Sequence, residues 1–295
     1  MARIVAGIAL ALALAAPAAA QDKPPLTVEV LRTSAGSLHS NAALIMGEHD
    51  AVLVDPPFTK ADAHRVAAMV LDSGKTLKYI FVTHDHPDHY FSMDVLAEAF
   101  PDAKIVAHPT VVADIWRSLP YKVVRWSPML GANGPAHPSA PAALEGDTIR
   151  LEGHELKVLG PMQGDHVHAT ALWAPDIKAL FPGDLVFNQV FLWLGEHEPE
   201  NVAAWRASLD TLDALHPEMV VAGHAKPGLP NDQSGIAFSK AFLDAWPKLV
   251  AEAKSSSDLQ AKAKTAFPEA IDVLNNFILP NSADVAMGVQ PPWEE

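Results

Sequence analysis

The sequence predicts a layered α/β fold in which helices cover a sheet. Short apolar strands alternate with amphipathic helices along the first part of the 295-residue chain. The stretch at 51–55 is apolar up to its final aspartate, as expected of a strand that is covered on both faces. From Thr148 onwards a second part again places strands before helices. We therefore expect residues 21–295 to form one domain.

The elements of the first part follow from their periodicity and their end signals. Residues 26–30 alternate apolar and polar side chains, which is the period of a half-buried strand. Thr59 and Asp62 can form a capping box for a helix that ends near Gly74, a residue typical of helix C-caps. Further strands are predicted at 41–46, 51–55, 78–84 and 104–108, and further helices near 92–99 and 111–117.

The second part is predicted to contain three strands, a helix and a last strand. The helix at 201–215 carries Val202, Trp205 and Leu209 on one face. Its neighbours are strands at 148–160, 170–175, 178–184 and 218–224.

Two segments do not follow this alternation. Residues 118–144 are rich in Pro, Gly and Ala and contain aromatic side chains. Both a connecting loop and a mobile lid over a substrate pocket fit that composition. Residues 234–277 are predicted to be mostly helical, with breaks at Pro247 and Pro268.

The strand at 78–84 ends in a loop that is dense in histidine and aspartate. Pro87 restricts this loop, and the spacing of its histidines is not the i, i+4 spacing of ligands on a helix. Imidazole and carboxylate groups suit zinc, and a structural zinc site would normally use cysteine, which the chain lacks. The loop therefore predicts an open, catalytic metal site. Its ligand-type residues are His84, His86, Asp88 and His89.

Two later residues occupy the same kind of position. Asp184 and His224 each follow an apolar strand through a glycine. Ligands bind at the carboxyl ends of strands in open α/β sheets, so we expect both side chains to meet the loop at 84–89 in one cleft.

Together these motifs resemble the metallo-β-lactamase superfamily over about residues 41–228. The resemblance implies an αββα sandwich with a site for one or two metal ions between its sheets. It also implies that Asp88 orients the nucleophile. The implied ligands are His84, His86 and a later histidine for the first metal, and Asp88, His89 and His224 for the second, with Asp184 bridging the two.

The later histidine is the point at which the sequence departs from the family, which usually has Gly-His-Thr there. Here the segment at 160–170 reads GPMQGDHVHAT. His166 precedes Asp184 by 18 residues and His168 precedes it by 16, and the longer separation fits the family better. We therefore predict His166 as the ligand, with His168 facing the substrate or supporting the ligands. Gln163 is the alternative, and it would leave a weakened first site.

The expected activity is that of a zinc-dependent hydrolase in which a metal-bound hydroxide attacks a carbonyl group. Two zinc ions are expected, and iron or manganese remains open. A bridging aspartate like Asp184 is typical of relatives that hydrolyse esters, lactones or thioesters, which makes these the first choice of substrate. The alternatives are a β-lactam hydrolase, and an iron-binding redox or non-catalytic binding protein. Tyr90, Phe187, Phe191 and Trp193 either line an apolar pocket or belong to the core.

Composition and the first residues bear on location and partners. Residues 1–20 have one basic residue, an apolar run and an Ala-x-Ala ending, which predicts a cleaved signal peptide and a secreted or periplasmic protein. A net charge of −14 argues against nucleic acid and anionic membranes as partners. The expected partner is a small-molecule substrate, and the oligomeric state is left open.

Overall fold

The computed structural model describes residues 23–293. The predicted signal peptide at 1–20 lies outside the described residues. Among the described residues, every helix is too short or too polar to cross a membrane.

The first sheet has six strands that follow one another in chain order. The first three are antiparallel neighbours, and the next three are added in parallel, which aligns the carboxyl ends of the third, fourth and fifth strands. Their bounds are Thr27–Arg32 (β1), Asn41–Met46 (β2), Asp50–Val54 (β3), Thr76–Val82 (β4), Lys104–Ala107 (β5) and Ala142–Ala143 (β6).

The second sheet has five strands, and two further strands pair separately as a ribbon. The strand bounds are Thr148–Leu151 (β7), His154–Met162 (β8), Ala169–Ala174 (β9), Ala179–Phe181 (β10), Phe187–Asn188 (β11), Met219–Val220 (β12) and His224–Ala225 (β13). The order in the second sheet is β12-β10-β9-β8-β7, and β11 pairs with β13 in the ribbon.

The two sheets pack face to face through apolar side chains. Ile45 and Phe81 of the first sheet belong to the same buried cluster as Leu156, Leu172 and Phe181 of the second. This packing explains why the strands read as nearly continuous apolar runs in the sequence.

Helices cover the outer faces of both sheets, so the predicted αββα sandwich is confirmed. Val66 and Val70 of the first helix pack on the outer face of the first sheet. Trp205 and Phe242 belong to the cluster that covers Leu180 of the second. The helices are Lys60–Ser73 (α1), Met93–Ala99 (α2), Pro109–Leu130 (α3), Pro199–Asp213 (α4), Ser234–Glu252 (α5), Ser256–Ala266 (α6) and Ile278–Ala286 (α7).

The end signals of α1 act as its sequence indicates. The Thr59 side chain accepts a hydrogen bond from the Asp62 backbone N–H at 3.3 Å. Gly74 ends the helix with φ +68°, in the left-handed region that glycine enters without strain.

The prediction of a connecting loop or a lid at 118–144 is wrong over the first half of that segment. Residues up to Leu130 continue α3, and the irregular part is confined to about 131–141. Pro120 and Pro128 lie inside the helix on its exposed side, while Leu119, Lys122 and Trp126 are buried at helical spacing. Burial of this face offsets the cost of each internal proline, about 3 kcal/mol.

The C-terminal segment 234–277 is largely helical, as predicted, but one of its two breaks is misplaced. Pro247 lies within α5, whereas Pro268 does follow the end of α6 at Ala266. The chain then returns toward the two-stranded ribbon, where Ile271 donates its N–H to the Gln189 carbonyl at 2.9 Å.

Candidate metal centre

The loop after β4 is buried and is held by an aspartate from the neighbouring strand. Asp55, at the end of β3, accepts hydrogen bonds from Thr83 N–H and from Thr83 Oγ1, each at 2.9 Å. The other contact of its carboxylate is His89 Nδ1 at 3.0 Å. His84, His86 and His89 are at most 6% exposed. The parallel β3–β4 pair thus fixes both ends of the histidine loop.

The glycines before Asp184 and His224 are required by close backbone packing. Gly183 has φ +50°, a conformation that side chains disfavour. A Cβ atom on Gly223 would collide with Asp184 Oδ1 and lie 2.6 Å from the Gly183 carbonyl carbon. The two strand ends therefore approach more closely than any larger residue would permit.

The structure brings together all four residues that were assigned to the second metal. Asp88, His89, Asp184 and His224 each offer one ligand atom, and these atoms lie within 4.8 Å of one another. His224 Nε2 lies 3.1 Å from Asp88 Oδ2 and 3.0 Å from Asp184 Oδ2. His89 Nε2 lies 3.1 Å from Asp184 Oδ1. Ligands about 2.1 Å from a tetrahedral zinc ion are about 3.4 Å apart, so these separations suit a metal.

The first group contains His84, His86 and Asp184 as predicted, but its fourth member is Asp165. Asp165 Oδ2 lies 2.8 Å from His86 Nδ1, and Asp165 Oδ1 lies 3.8 Å from His84 Nε2. His84 Nε2 lies 3.7 Å from Asp184 Oδ2, and Asp184 belongs to both groups, so it would be a shared ligand if each group held a metal.

His166, the residue predicted for the first site, points elsewhere. Its Nδ1 faces Glu196 Oε2 at 3.3 Å and its Nε2 faces Asp114 Oδ2 at 3.5 Å. His168 also contacts Asp114, and Gln163 contacts the Gly164 carbonyl. The geometry therefore favours Asp165 over His166, His168 and Gln163 as the third ligand. His166 does share a group with His86 and Glu196, so its role as a ligand of the first site stays a prediction.

Each histidine of the two groups has its outer ring nitrogen held by an oxygen. Such contacts fix the ring orientation and the tautomer that a metal ligand needs. The four contacts are His84 Nδ1 to Thr83 Oγ1 at 2.9 Å, His86 Nε2 to Glu196 Oε1 at 2.9 Å, His89 Nδ1 to Asp55 Oδ2 at 3.0 Å and His224 Nδ1 to the Leu38 carbonyl at 2.9 Å.

The inner atoms of the groups are buried and lack hydrogen-bond partners among the described residues, which is the expected signature of a metal site. A buried polar atom without a partner costs about 1–3 kcal/mol, so several in one place call for a cation. The atoms are His84 Nε2, Asp88 Oδ2, Asp184 Oδ1 and both carboxylate oxygens of Asp165.

The protonation of the groups reflects this concentration of charge. Burial raises the pKa of the Asp165 carboxyl to about 8, although the charge of His86 opposes it. Burial alone would lower the pKa of His224, but Asp184 and Asp88 outweigh it and raise that pKa to about 10. Burial and the charge of His89 lower the pKa of His84 well below 6.5. Metal binding would displace the protons that balance these carboxylates.

A cleft opens onto Asp88, Asp165 and Asp184 and is walled largely by aromatic side chains. Phe187 and Trp193 line it as one of the two alternatives predicts, whereas Tyr90 and Phe191 belong to the core. No Lys or Arg is among the described residues that line the cleft. Its remaining aromatic and aliphatic walls are Leu38, Phe58, Trp126, Phe277, Ile278 and Trp293.

Sequence reasoning missed three residues of the site. Asp55 had a usable signal, since it ends an apolar strand just as His84 and Asp184 do. Asp165 was not considered because the two histidines that follow it, His166 and His168, are the more usual ligand type. Glu196, which contacts both His86 and His166, lies in an irregular segment after β11 that carries no periodic signal.

The resemblance that the histidine loop, Asp184 and His224 indicate is supported by comparisons with known proteins. The sequence profile of the Metallo-beta-lactamase superfamily matches residues 35–224, which is more than half of the chain. The uncharacterized protein YobT of Bacillus subtilis (strain 168) is 36% identical over 66 residues, which span 22% of this chain and 28% of that protein.

Solved structures share the fold at low sequence identity. The DIM-1 metallo-beta-lactamase is 20% identical, with a TM-score of 0.55 over 76% of this chain and 99% of its own. A metallo-beta-lactamase from Pontibacter korlensis is 18% identical, with a TM-score of 0.54 over 76% of this chain and 96% of its own. By its profile match, its fold and its paired groups of histidine and aspartate, the chain belongs to the metallo-beta-lactamase superfamily.

Proposed function

We propose that the protein is a zinc-dependent hydrolase of uncharged esters, lactones or thioesters that carry an apolar acyl group. The observation that carries the proposal is the set of buried, unpartnered ligand atoms at the floor of an aromatic cleft. Two metal ions held there would supply Lewis acidity and a water molecule of lowered pKa.

Asp88 is the residue best placed to act on the attacking water. Its carboxylate borders the cleft, and its Oδ2 lies 3.1 Å from His224 Nε2 within the second group. The carboxylate oxygen that does not bind metal would orient the water and take up its proton. His84, His86 and His224 would remain fixed as ligands by the contacts of their outer nitrogens.

The walls of the cleft support the choice of substrate. An apolar acyl or alcohol group would be buried by aromatic side chains, which are Trp126, Phe187, Trp193, Phe277 and Trp293. A β-lactam carries a carboxylate beside the scissile bond. The described residues that line the cleft include no Lys or Arg to pair with that carboxylate.

A panel of chromogenic esters, lactones, thioesters and β-lactams, assayed with and without a chelator, tests this proposal. We expect activity to rise with the length of the acyl chain and to disappear when the metal is removed. Asp88→Ala should abolish turnover while the fold is retained. Turnover that survives complete metal removal would exclude a metallohydrolase, and a preference for β-lactams would exclude this substrate class.

The carboxylate of Asp165 gives a specific reason to test iron and manganese. With Asp165, three of the seven ligands are carboxylates, which makes a harder donor set than a histidine in place of Asp165 would give. Hard donors suit manganese and iron. Metal analysis of the purified protein identifies the native ion. A fully loaded iron protein with no hydrolysis across the panel would point to a redox or binding role.

We also propose that the protein acts outside the cytoplasm. The composition of residues 1–20 supports this, because a basic residue, an apolar run and small residues precede a cleavage-type ending. Mass spectrometry of the protein isolated from its native cells should show a chain that begins near Gln21. An intact N-terminus would refute cleavage.

A further inference from the structure

We propose that Asp114, His166 and His168 form a further binding site for a divalent transition-metal cation, beside the two groups described above. Asp114 comes from α3, and the two histidines come from the loop between β8 and β9. None of the three belongs to the group of His84, His86, Asp165 and Asp184 or to that of Asp88, His89, Asp184 and His224, and only His166 is shared with a further group, which it forms with His86 and Glu196.

The separations of the ligand atoms suit a metal. One atom from each of the three residues lies within 4.8 Å of the others. His166 Nε2 is 3.5 Å from Asp114 Oδ2, close to the ligand separation of about 3.4 Å at a tetrahedral zinc ion. His168 Nδ1 is 2.7 Å from the same oxygen and would have to move away by about 0.7 Å to reach that separation.

His166 provides the second, independent observation. It is 7% exposed, and its Nε2 is buried without a hydrogen-bond partner among the described residues. Its Nδ1 faces Glu196 Oε2 at 3.3 Å, so one nitrogen is held by a carboxylate and the other points at a second carboxylate. The histidines of the main centre are arranged in the same way, with the outer nitrogen held and the inner nitrogen available.

The charges around the three residues are compatible with a bound cation. Arg117 pairs with the other oxygen, Asp114 Oδ1, at 2.8 Å, and its side chain is 61% exposed, so water screens its charge. The carboxylates of Asp114 and Glu196 flank His166. The negative charge that they carry would attract a divalent ion.

The donor set and its exposure indicate the kind of ion. Two imidazoles and one carboxylate suit Zn²⁺, Co²⁺ or Ni²⁺ better than Mg²⁺ or Ca²⁺. The His168 side chain is 38% exposed, so the remaining coordination positions would be open to solvent. The ion should therefore exchange more readily than those of the buried centre.

Metal counting with matched variants tests the proposal. The purified full chain is stripped with a chelator, dialysed against Co²⁺ or Zn²⁺ and analysed for bound metal by mass spectrometry. We expect His168→Ala and Asp114→Asn each to bind one equivalent fewer than the wild type. His137→Ala, which removes an exposed histidine outside all of these groups, should bind as many as the wild type.

Two further outcomes separate this site from the main centre. Asp165→Asn should lose metal from the main centre while it keeps the equivalent that depends on His168. If His166→Ala loses an equivalent that His168→Ala and Asp114→Asn both retain, His166 is a ligand of the main centre and the proposal fails. It also fails if His168→Ala binds as much metal as the wild type.

Discussion

Replacing Lys122 by methionine should destabilise the protein strongly, because this lysine is the buried counterion of the histidine loop. Lys122 is 1% exposed, and its Nζ lies 3.0 Å from Asp85 Oδ1. It also donates to the Asp85 backbone carbonyl. Asp85 stands between His84 and His86, so α3 holds the loop through this pair.

The magnitude follows from the geometry. At 3.0 Å and an effective dielectric constant of about 20, the attraction between the charges is about 5 kcal/mol. Methionine would fill the space of the lysine but leave the Asp85 carboxylate buried without a cation. Loss of one partner of such a pair costs about 3–5 kcal/mol in the free energy of unfolding. Ser118 Oγ, which donates to Asp85 Oδ1 at 3.0 Å, would recover only part of this.

Urea denaturation of the metal-free protein measures this cost without a contribution from metal binding. The matched control is Lys178→Met, which breaks an ion pair with Glu218 whose side chains are 56% and 70% exposed, and should cost at most about 1 kcal/mol. The double variant Asp85→Asn/Lys122→Met should recover most of the loss, since both charges of the pair are removed together. A cost below about 1 kcal/mol for Lys122→Met would refute the reasoning.

Three further predictions follow. Asp55→Asn should weaken metal binding about 10- to 100-fold in a cobalt titration, because the ring of His89 loses its charged partner; unchanged affinity would contradict this. Gly223→Ala should reduce the metal content of the purified protein, because the new methyl group displaces the Asp184 carboxylate; full loading would show that the backbone can move apart. Burial lowers the pKa of His197 to about 4, from about 6.5 in the unfolded chain. Because the unfolded chain takes up this proton first, the free energy of unfolding is highest above pH 6.5 and decreases as the pH falls toward 4. Denaturation at several pH values should show a loss on the order of 3 kcal/mol across that interval in the wild type, and His197→Gln should be less steep; equal slopes would refute it.

The parts of the fold that the sequence predicts are those with a clear period. The apolar runs of β3 and β4, and the end signals of α1, lie where their patterns place them. Helix α3 was partly missed, because Pro120 and Pro128 suggest a loop. Its buried face also includes Lys122, which no apolar period reveals.

The metal centre divides in the same way. The residues at strand ends were found, since a strand end fixes where its side chain lies. The choice between Asp165 and His166 depends on the path of an irregular loop, where neighbouring residues point in different directions. The aromatic walls were mostly missed because Phe277 and Trp293 reach the cleft from about 50 residues or more after the last ligand.

The origin of those walls has a consequence for how such a protein can diversify. The ligands come from strand ends deep in the sandwich, whereas Phe277, Ile278 and Trp293 come from the segment that follows α6. Trp293 is attached to the rim of the cleft by one backbone hydrogen bond, from its N–H to the Gly195 carbonyl at 2.8 Å. On the proposed function, mutations in this segment would alter the substrate range while the metal ligands stay in place, so chemistry and selectivity could evolve independently.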